Sequence, residues 1–255
     1  MTISVAGDQL LAYLLASLRI IAWLVLVPPF SSRAIPAAAK VILALALALA
    51  AAPSVAASGV PTGTLPLIST ALTQVAVGLA MGFVTFLLFS GIAAAGNLVD
   101  MFGGFALAQG FDPIAMRPTT IFGQFHQLLA TVLLFATGGH MIVLGGMLRT
   151  FQVLPLGDSP DLSGLSGVLL TAFRMFLLTA VQIALPMIAV LLVADLGLAL
   201  MTKIAPQLNA LSVMFPAKIG LTLVLVGLSF SVLPGAMDQL VELATQAMAA
   251  IVGPR

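Results

Sequence analysis

The sequence predicts an all-α, multi-helix membrane-associated protein. Hydrophobic residues make up 61% of its 255 residues and charged residues only 7%, whereas a soluble domain carries about 25% charged residues. So few charges cannot cover a water-exposed globule of this size. Mean hydropathy is +1.22, and apolar runs recur from end to end without a polar domain between them. We therefore expect one integrated membrane-type unit.

About six apolar segments are long enough for membrane helices, which need about 20 mostly apolar residues. Each separator between them holds proline or glycine, where a helix is expected to stop. The segments lie near residues 10–27, 37–57, 68–95, 124–148, 168–202 and 211–233.

The first apolar segment is not a cleaved signal peptide in this interpretation. It lacks a basic region before it, contains Arg19 near its middle and runs into Pro28 and Pro29 rather than a small-residue cleavage site. We expect the N-terminus to remain on the mature protein.

The fifth and sixth segments predict a long helical hairpin. Residues 166–202 would make a helix of about 55 Å at 1.5 Å per residue. Such a helix must tilt steeply, break at Pro186 or extend beyond a bilayer. Residues 237–251 continue an apolar helical pattern that carries Asp238 and Glu242.

Small residues recur at four-residue spacing in the third segment. Gly78 and Gly82 form one such pair, and Gly91 and Ala95 form another. This spacing lets helix backbones approach closely. It fits tight packing inside one subunit or a face between subunits, and the sequence leaves both open.

An enzyme is not expected. The chain has no cysteine, which excludes thiolate chemistry and disulfides, and no metal-binding or cofactor-binding motif is present. A net charge of +1 without a basic run also argues against nucleic acid as a partner.

One short string matches the G-x-S-G motif of intramembrane serine proteases. It spans Gly164 to Gly167 and contains Ser166. A nucleophilic serine needs a histidine base nearby, yet His126 and His140 belong to an earlier segment. Glycine and serine are also common turn residues, so we interpret the string as a turn.

Charges within apolar segments are costly and often functional. Asp195 could lie in an ion path of a transporter. Alternatively it pairs with a basic residue, or lies near a helix end or at a wet seam between subunits. We favour this second, non-transporting group of roles, because no inverted repeat accompanies Asp195. Arg19 needs acceptors, and Asp100 and Asp195 are the partners considered for it.

The separator near residues 97–118 is rich in apolar and flexible residues. A solvated loop has no use for so much apolar surface, so the segment is expected to pack re-entrantly or to line a passage. Its large apolar residues are Met101, Phe102, Phe105, Phe111 and Met116, and its glycines are Gly103, Gly104 and Gly110.

Lysine and arginine counts predict that both termini lie outside. Positive residues are enriched in cytoplasmic loops, and the N-out, C-out arrangement places more of them inside. The inner set is then Arg33, Lys40, Arg117, Lys203 and Lys218, against Arg149 and Arg255 outside.

Several short motifs stand in an order and spacing that resemble one protein family. They cover roughly residues 17–235, and no single one of them is decisive. They are Arg19 with Pro28 and Phe30; Ile35-Pro36 with Lys40; Gly96 and Asp100 with Asp112-Pro113; Gly139-His140; Leu154-Pro155; Ala184-Leu185-Pro186; Ala205-Pro206-Gln207-Leu208-Asn209; and Phe215-Pro216-Ala217-Lys218. The chain resembles the FliR/SctT family of type III export apparatus subunits, and the last two motifs look more flagellar than injectisome.

The resemblance implies a structural subunit of the flagellar type III export gate in the bacterial inner membrane, within the flagellar basal body. The implied partners are FliP-like and FliQ-like subunits, FlhB and FlhA, the exported flagellar proteins and membrane lipid. The implied fold is a FliP-like helical part over residues 1–165 followed by a FliQ-like long helical hairpin over 166–255. The rival interpretations are a multi-pass secondary transporter or ion channel, and a membrane scaffold without a conduit.

The resemblance also implies roles for two groups of residues. The apolar residues of the 97–118 segment would form a plug that closes the conduit, with its glycines as hinges; the alternative is a packing element that never moves. Lys203 and Lys218 would contact an FlhB-like partner or anionic lipid on the cytoplasmic side, and plain membrane anchoring is the alternative.

Overall fold

A computed structural model describes residues 3–51, 55, 61, 63–105, 120–160, 162–204 and 210–253. Within these ranges the chain forms eight α-helices and one short 3-10 helix, without β-strands, which confirms the all-α prediction. The helices are α1 (Ile3–Leu26), α2 (Ala37–Ala50), α3 (Thr64–Gly103), α4 (Ile121–Ala136), α5 (Gly139–Val153), α6 (Leu165–Ile204), α7 (Ala210–Ser229) and α8 (Leu233–Val252).

Helix α3 is longer than its apolar segment predicts. It runs for 40 residues, so residues 97–103, which we expected in a loop, form its last two turns. The helix continues because this stretch contains no proline and its polar side chains find partners. It ends where Gly104 adopts the left-handed conformation with φ +85°, as glycine does at many helix C-termini.

Two predicted single segments are bent pairs of helices. Helices α4 and α5 meet at 76° and helices α7 and α8 at 56°. The first bend lies at Gly138, whose φ of +74° is open to glycine at little cost. Pro234 explains the second, because a proline lacks an N–H group and its ring would clash with the carbonyl four residues earlier.

Helix α6 is continuous through Pro186 over 40 residues. At 1.5 Å per residue it is about 60 Å long, twice the hydrocarbon thickness of a bilayer, about 30 Å. The sequence left three possibilities for this helix: a steep tilt, a break at Pro186 or an extension beyond the bilayer. Because the helix is continuous, the break at Pro186 is excluded.

Within the described residues, three helices are long and apolar enough to cross a membrane: residues 9–26 of α1, all of α3 and all of α6. Each bent pair adds one crossing if the pair forms a single span, which gives up to five. Helix α2 has only 14 residues, fewer than the roughly 20 that a crossing needs. These helices are those of an all-α membrane protein.

The contacts divide the chain into two compact units, and both α3 and α6 contribute to each. The first unit comprises Met1–Leu88, Gly138–Phe173 and Leu240–Arg255, and the second Phe89–Thr137 and Arg174–Gln239. The predicted division at residue 165 stays a prediction.

The small residues of α3 make close helix contacts inside this chain. In the first unit, Gly78 lies against the backbone of Arg19, and Gly82 lies against Trp23. In the second unit, Gly91 lies against Phe176 and Thr179 of α6. These glycines thus serve packing within the subunit, one of the two uses that the sequence allowed.

Candidate functional site

The described start of the predicted plug segment contacts the first residues of α4 in the second unit. Its described part is the end of α3, where Met101 is 57% exposed and Phe102 is partly exposed. Just beyond the helix, Phe105 packs edge to face on Phe122 of α4, with ring centroids 4.9 Å apart. Phe111, Met116 and Gly110 lie outside the described residues.

Asp100 caps helix α4 from the neighbouring helix. Its Oδ2 accepts hydrogen bonds from the backbone N–H groups of Phe122, at 2.9 Å, and Gly123, at 3.2 Å. These are the N–H groups that an N-cap side chain normally satisfies. The N-cap residue Thr120 makes no such bond, and its hydroxyl donates to Asn97 Oδ1, at 2.5 Å.

Helices α3 and α4 touch at their backbones beside this cap. A methyl group on Gly96 would overlap the Phe122 carbonyl, and one on Gly123 would overlap the side chains of Asn97 and Thr120. Glycine at both positions therefore brings the Asp100 carboxylate within reach of the α4 N-terminus.

His126 completes the polar groups of this contact. Its ring is wholly buried, and Nδ1 lies 2.8 Å from the Phe122 carbonyl one turn earlier. His126 Nε2 and Asp100 Oδ1 are both buried without a hydrogen-bond partner among the described residues. No sequence motif singled out His126 for this position.

Helix α7 passes the same end of α3. Thr222 lies beside Gly103, and Phe215 and Lys218 lie beside Gly104. Gly103 and Gly104, which we predicted to act as hinges, therefore both lie against side chains of α7.

Lys218 forms an ion pair with Asp195 of α6. Its Nζ lies 2.8 Å from each carboxylate oxygen, and both side chains are partly buried. Asp195 therefore pairs with Lys218 rather than Arg19. Lys218 itself lies inside α7, which corrects its predicted place in a cytoplasmic loop, whereas Lys203 is exposed in the last turn of α6.

Arg19 is the centre of a separate polar cluster in the first unit. It is wholly buried, and Nε donates to Gln74 Oε1 at 2.6 Å. The terminal nitrogens donate to the Leu154 carbonyl, at 3.0 Å, and more weakly to Thr150, at 3.4 Å. The Phe151 ring lies 4.3 Å from the guanidinium carbon, a distance typical of cation–π contacts.

The partners of Arg19 correct the expected carboxylate pairing. Among the described residues its hydrogen bonds go to an amide, a hydroxyl and backbone carbonyls, not to Asp100 or Asp195. Leu154 and Thr150 stand at the C-terminus of α5, where a positive charge is favoured by the helix dipole. Gln74 was missed in the sequence, although a lone glutamine in an apolar helix is a usable signal for a buried partner.

The chemistry of these clusters is that of structural hydrogen bonding. Among the described residues no group of three metal-ligating side chains comes together. Ser166 of the G-x-S-G string lies exposed in the first turn of α6. The ring of His126 contacts the ring of Phe125, its neighbour in α4.

Comparison with known proteins places the chain in a family. The family described as bacterial export proteins, family 1, matches residues 10–244. The flagellar biosynthetic protein FliR of Escherichia coli is 30% identical over 199 residues, which cover 78% of this chain and 76% of that protein. FliR of Bacillus subtilis is 25% identical, covering 89% of this chain and 88% of that protein.

A relative outside flagella is also similar. The surface presentation of antigens protein SpaR of Salmonella typhimurium is 26% identical over 222 residues, which cover 86% of this chain and 82% of that protein. The family match spans both clusters described above, from Arg19 to Lys218. This chain therefore belongs to the bacterial export proteins, family 1, the family of FliR and its counterparts in type III export.

Proposed function

We propose that the protein is a structural subunit of the flagellar type III protein-export gate and forms part of the conduit for unfolded substrates across the bacterial inner membrane. Membership of the export family makes it a membrane component of a type III export apparatus. The flagellar system is favoured because FliR of Escherichia coli is 30% identical to this chain, against 26% for SpaR of Salmonella typhimurium.

The exposed apolar length of α6 carries the proposal. The helix is about 60 Å long, whereas the hydrocarbon core of a bilayer covers about 30 Å. Large apolar side chains are exposed from Leu170, at 71%, to Ile204, at 80%. Lipid covers only part of such a surface, so the rest requires neighbouring protein. The proposed neighbours are FliP-like and FliQ-like subunits, with FlhB and FlhA beside them.

The described charges support a structural role over a transporter. Asp195 is neutralised by Lys218, and one oxygen of Asp100 is taken up by backbone N–H groups. A secondary transporter instead presents its coupling groups near the midplane, between broken helices. Asp195 lies on α6, which is continuous through Pro186, whereas the bends of this chain lie between α4 and α5 and between α7 and α8.

The apolar segment after α3 is proposed as the plug of this conduit. A gate for unfolded chains must exclude water and ions at rest yet yield to a peptide, and packed Phe and Met side chains meet both demands. The exposed Met101 and the packed Phe105 support this role at the described end. Phe102, Phe111 and Met116 would complete the plug, and Gly103, Gly104 and Gly110 would give it freedom to move.

The proposed orientation has both termini outside, with Lys203 on the cytoplasmic side near an FlhB-like partner or anionic lipid. This orientation requires an even number of crossings. The three long helices with one bent pair as a single span give four crossings. If both bent pairs are single spans, α2 would have to add a sixth crossing to the five, although its 14 residues are short for one.

Gentle detergent extraction from the native cell, followed by mass spectrometry, tests the proposal. A stable complex with FliP-like and FliQ-like proteins is expected, and a homogeneous lone species would exclude the gate. Leu170 and Leu200 are about 45 Å apart along α6, so one bilayer cannot cover both. Lysine at one of these two positions should therefore reduce complex yield strongly, while Leu170→Met and Leu200→Met serve as matched controls.

A further inference from the structure

The junction of α3 and α4, which we name the loop base, is held by several independent contacts. Asn97 and Asp100 hold the first residues of α4 through a hydroxyl and two backbone N–H groups. Phe105 packs on Phe122, and Gly96 lets the two backbones touch. These contacts fix residues before and after the 106–119 segment against one another.

Asp100 is the only one of these side chains that carries a charge. It is wholly buried, and a buried carboxylate is retained only where donors compensate its loss of water. The α4 N-terminus supplies two N–H donors and the positive end of the helix dipole. Removing the carboxylate would take away the acceptor that both N–H groups use, and the Thr120 hydroxyl, which is oriented toward Asn97, bonds neither of them in its present position.

We propose that Asp100 is a positioning residue that keeps the loop base closed throughout transport. The inference rests on the proposed plug but concerns its anchor. From the sequence, Asp100 was considered as a buried partner of Arg19, whereas this proposal assigns it to the contact between α3 and α4. A base that opened in each transport cycle would have to break both N–H hydrogen bonds to Asp100, which is wholly buried.

The natural absence of cysteine makes the loop base directly measurable. Asn97→Cys with Thr120→Cys places two thiols where two side-chain oxygens now lie 2.5 Å apart. Oxidation of the assembled complex in isolated membranes should form the 97–120 disulfide rapidly. In combination with Asp100→Ala the rate should fall several-fold, whereas Asp100→Asn, which keeps an acceptor for the N–H groups, should stay near the Asp100 rate.

The secretion rate with the 97–120 disulfide formed shows whether the loop base has to open during transport. Cells carrying the full apparatus should secrete substrate at the same rate before and after oxidation of the cysteine pair, with the cysteine-free parent as the control for the oxidant. Asp100→Ala should impair export, and the disulfide should restore it until a reductant is added. Because a disulfide also stabilises a fold in general, the comparison is made between complexes of equal yield, which separates this rescue from that of a folding defect.

Three results would overturn the proposal: equal crosslinking rates with Asp100 and Asp100→Ala, export that stops on oxidation, or no rescue of Asp100→Ala by the disulfide in complexes of normal yield. The plug proposal is tested separately by ion leakage. A tight membrane after removal of Phe111 and Met116, two plug residues that do not belong to the loop base, would argue against the plug and leave the crosslinking result unchanged.

Discussion

The Arg19 guanidinium donates a hydrogen bond of 2.6 Å to the side-chain oxygen of Gln74, and Gln74 in turn donates to the Leu156 carbonyl at 3.0 Å. Both side chains are wholly buried. The pair thus connects α1, α3 and the chain after α5 through polar groups that cannot exchange their bonds for water. Such a network is strong only while each member is satisfied.

Arg19→Ala should impair assembly of the export complex. The truncation leaves Gln74 Oε1 and the Leu154 carbonyl without their donor, at about 1–3 kcal/mol for each buried unpaired group. It also removes the contact with the Phe151 ring. Arg19→Lys should be milder, because the ammonium keeps the charge and part of the donor set but lacks the planar fork. The measurement is the yield of intact complex after extraction, and normal yield with Arg19→Ala would refute a structural role.

Gly78→Ala should destabilise the first unit. A Cβ atom there would overlap the backbone carbonyl of Arg19, and forced overpacking costs roughly 1–3 kcal/mol. Gly145→Ala in α5 is the matched control, since nothing lies within 4 Å of its Cβ position. The control should be neutral or stabilising by up to about 1 kcal/mol, because alanine is the better helix former.

Thermal unfolding of the purified complex distinguishes the two glycine variants. A lower transition temperature for Gly78→Ala alone is expected. Equal transition temperatures would show that α1 and α3 have room at this contact.

The fold was predictable because helical periodicity and length depend on local sequence. All six apolar segments contain a described helix. The ends and bends of these helices were harder to predict, because the pair Gly138 and Gly139 is compatible with a straight helix as well as with a turn. Asn97 and Asp100 look like loop residues from the sequence. They are helical because their side chains find partners on α4, a tertiary effect that local propensity does not contain.

The charge partners were predicted less well for a related reason. Sequence reasoning pairs opposite charges, so Arg19 was expected beside a carboxylate, whereas the guanidinium is satisfied by an amide and by carbonyls at a helix end. Backbone groups are acceptors at every residue and leave no signature in composition. Asp195 pairs with a basic residue, one of the non-transporting roles that the sequence left open, and its partner Lys218 could be identified only from the packing of α6 against α7.

Arginine at Lys203 and Lys218 distinguishes anchoring from specific contact. If both lysines only hold the protein in the membrane by their charge, Lys203→Arg with Lys218→Arg should leave export unchanged. The ion pair between Lys218 and Asp195 supports this expectation, because arginine at position 218 would still offer a charged hydrogen-bond donor to Asp195. The secretion rate is the measurement, and the single variants separate the exposed lysine from the paired one. A loss confined to Lys203→Arg would favour a partner that recognises the compact ammonium.

Removing bulk from the plug should make the resting membrane leak. Phe105→Gly with Phe111→Gly deletes two aromatic rings, one of which packs on Phe122, and an apolar constriction blocks ions only while it is narrow enough to stay dry. Passive ion conductance should therefore rise in cells that express the full gate, and shortening the loop should have the same effect.

Phe125→Leu is a suitable control for this leak, because Phe125 is a partly exposed ring that packs on Phe230 and lies outside the predicted plug. It should leave conductance unchanged at equal complex yield. Leakage that appears in the control as well would indicate general loosening of the second unit. A gate that assembles with both glycine substitutions and stays tight would remove the plug role from this segment, and the apolar side chains after α3 would then be a fixed packing element.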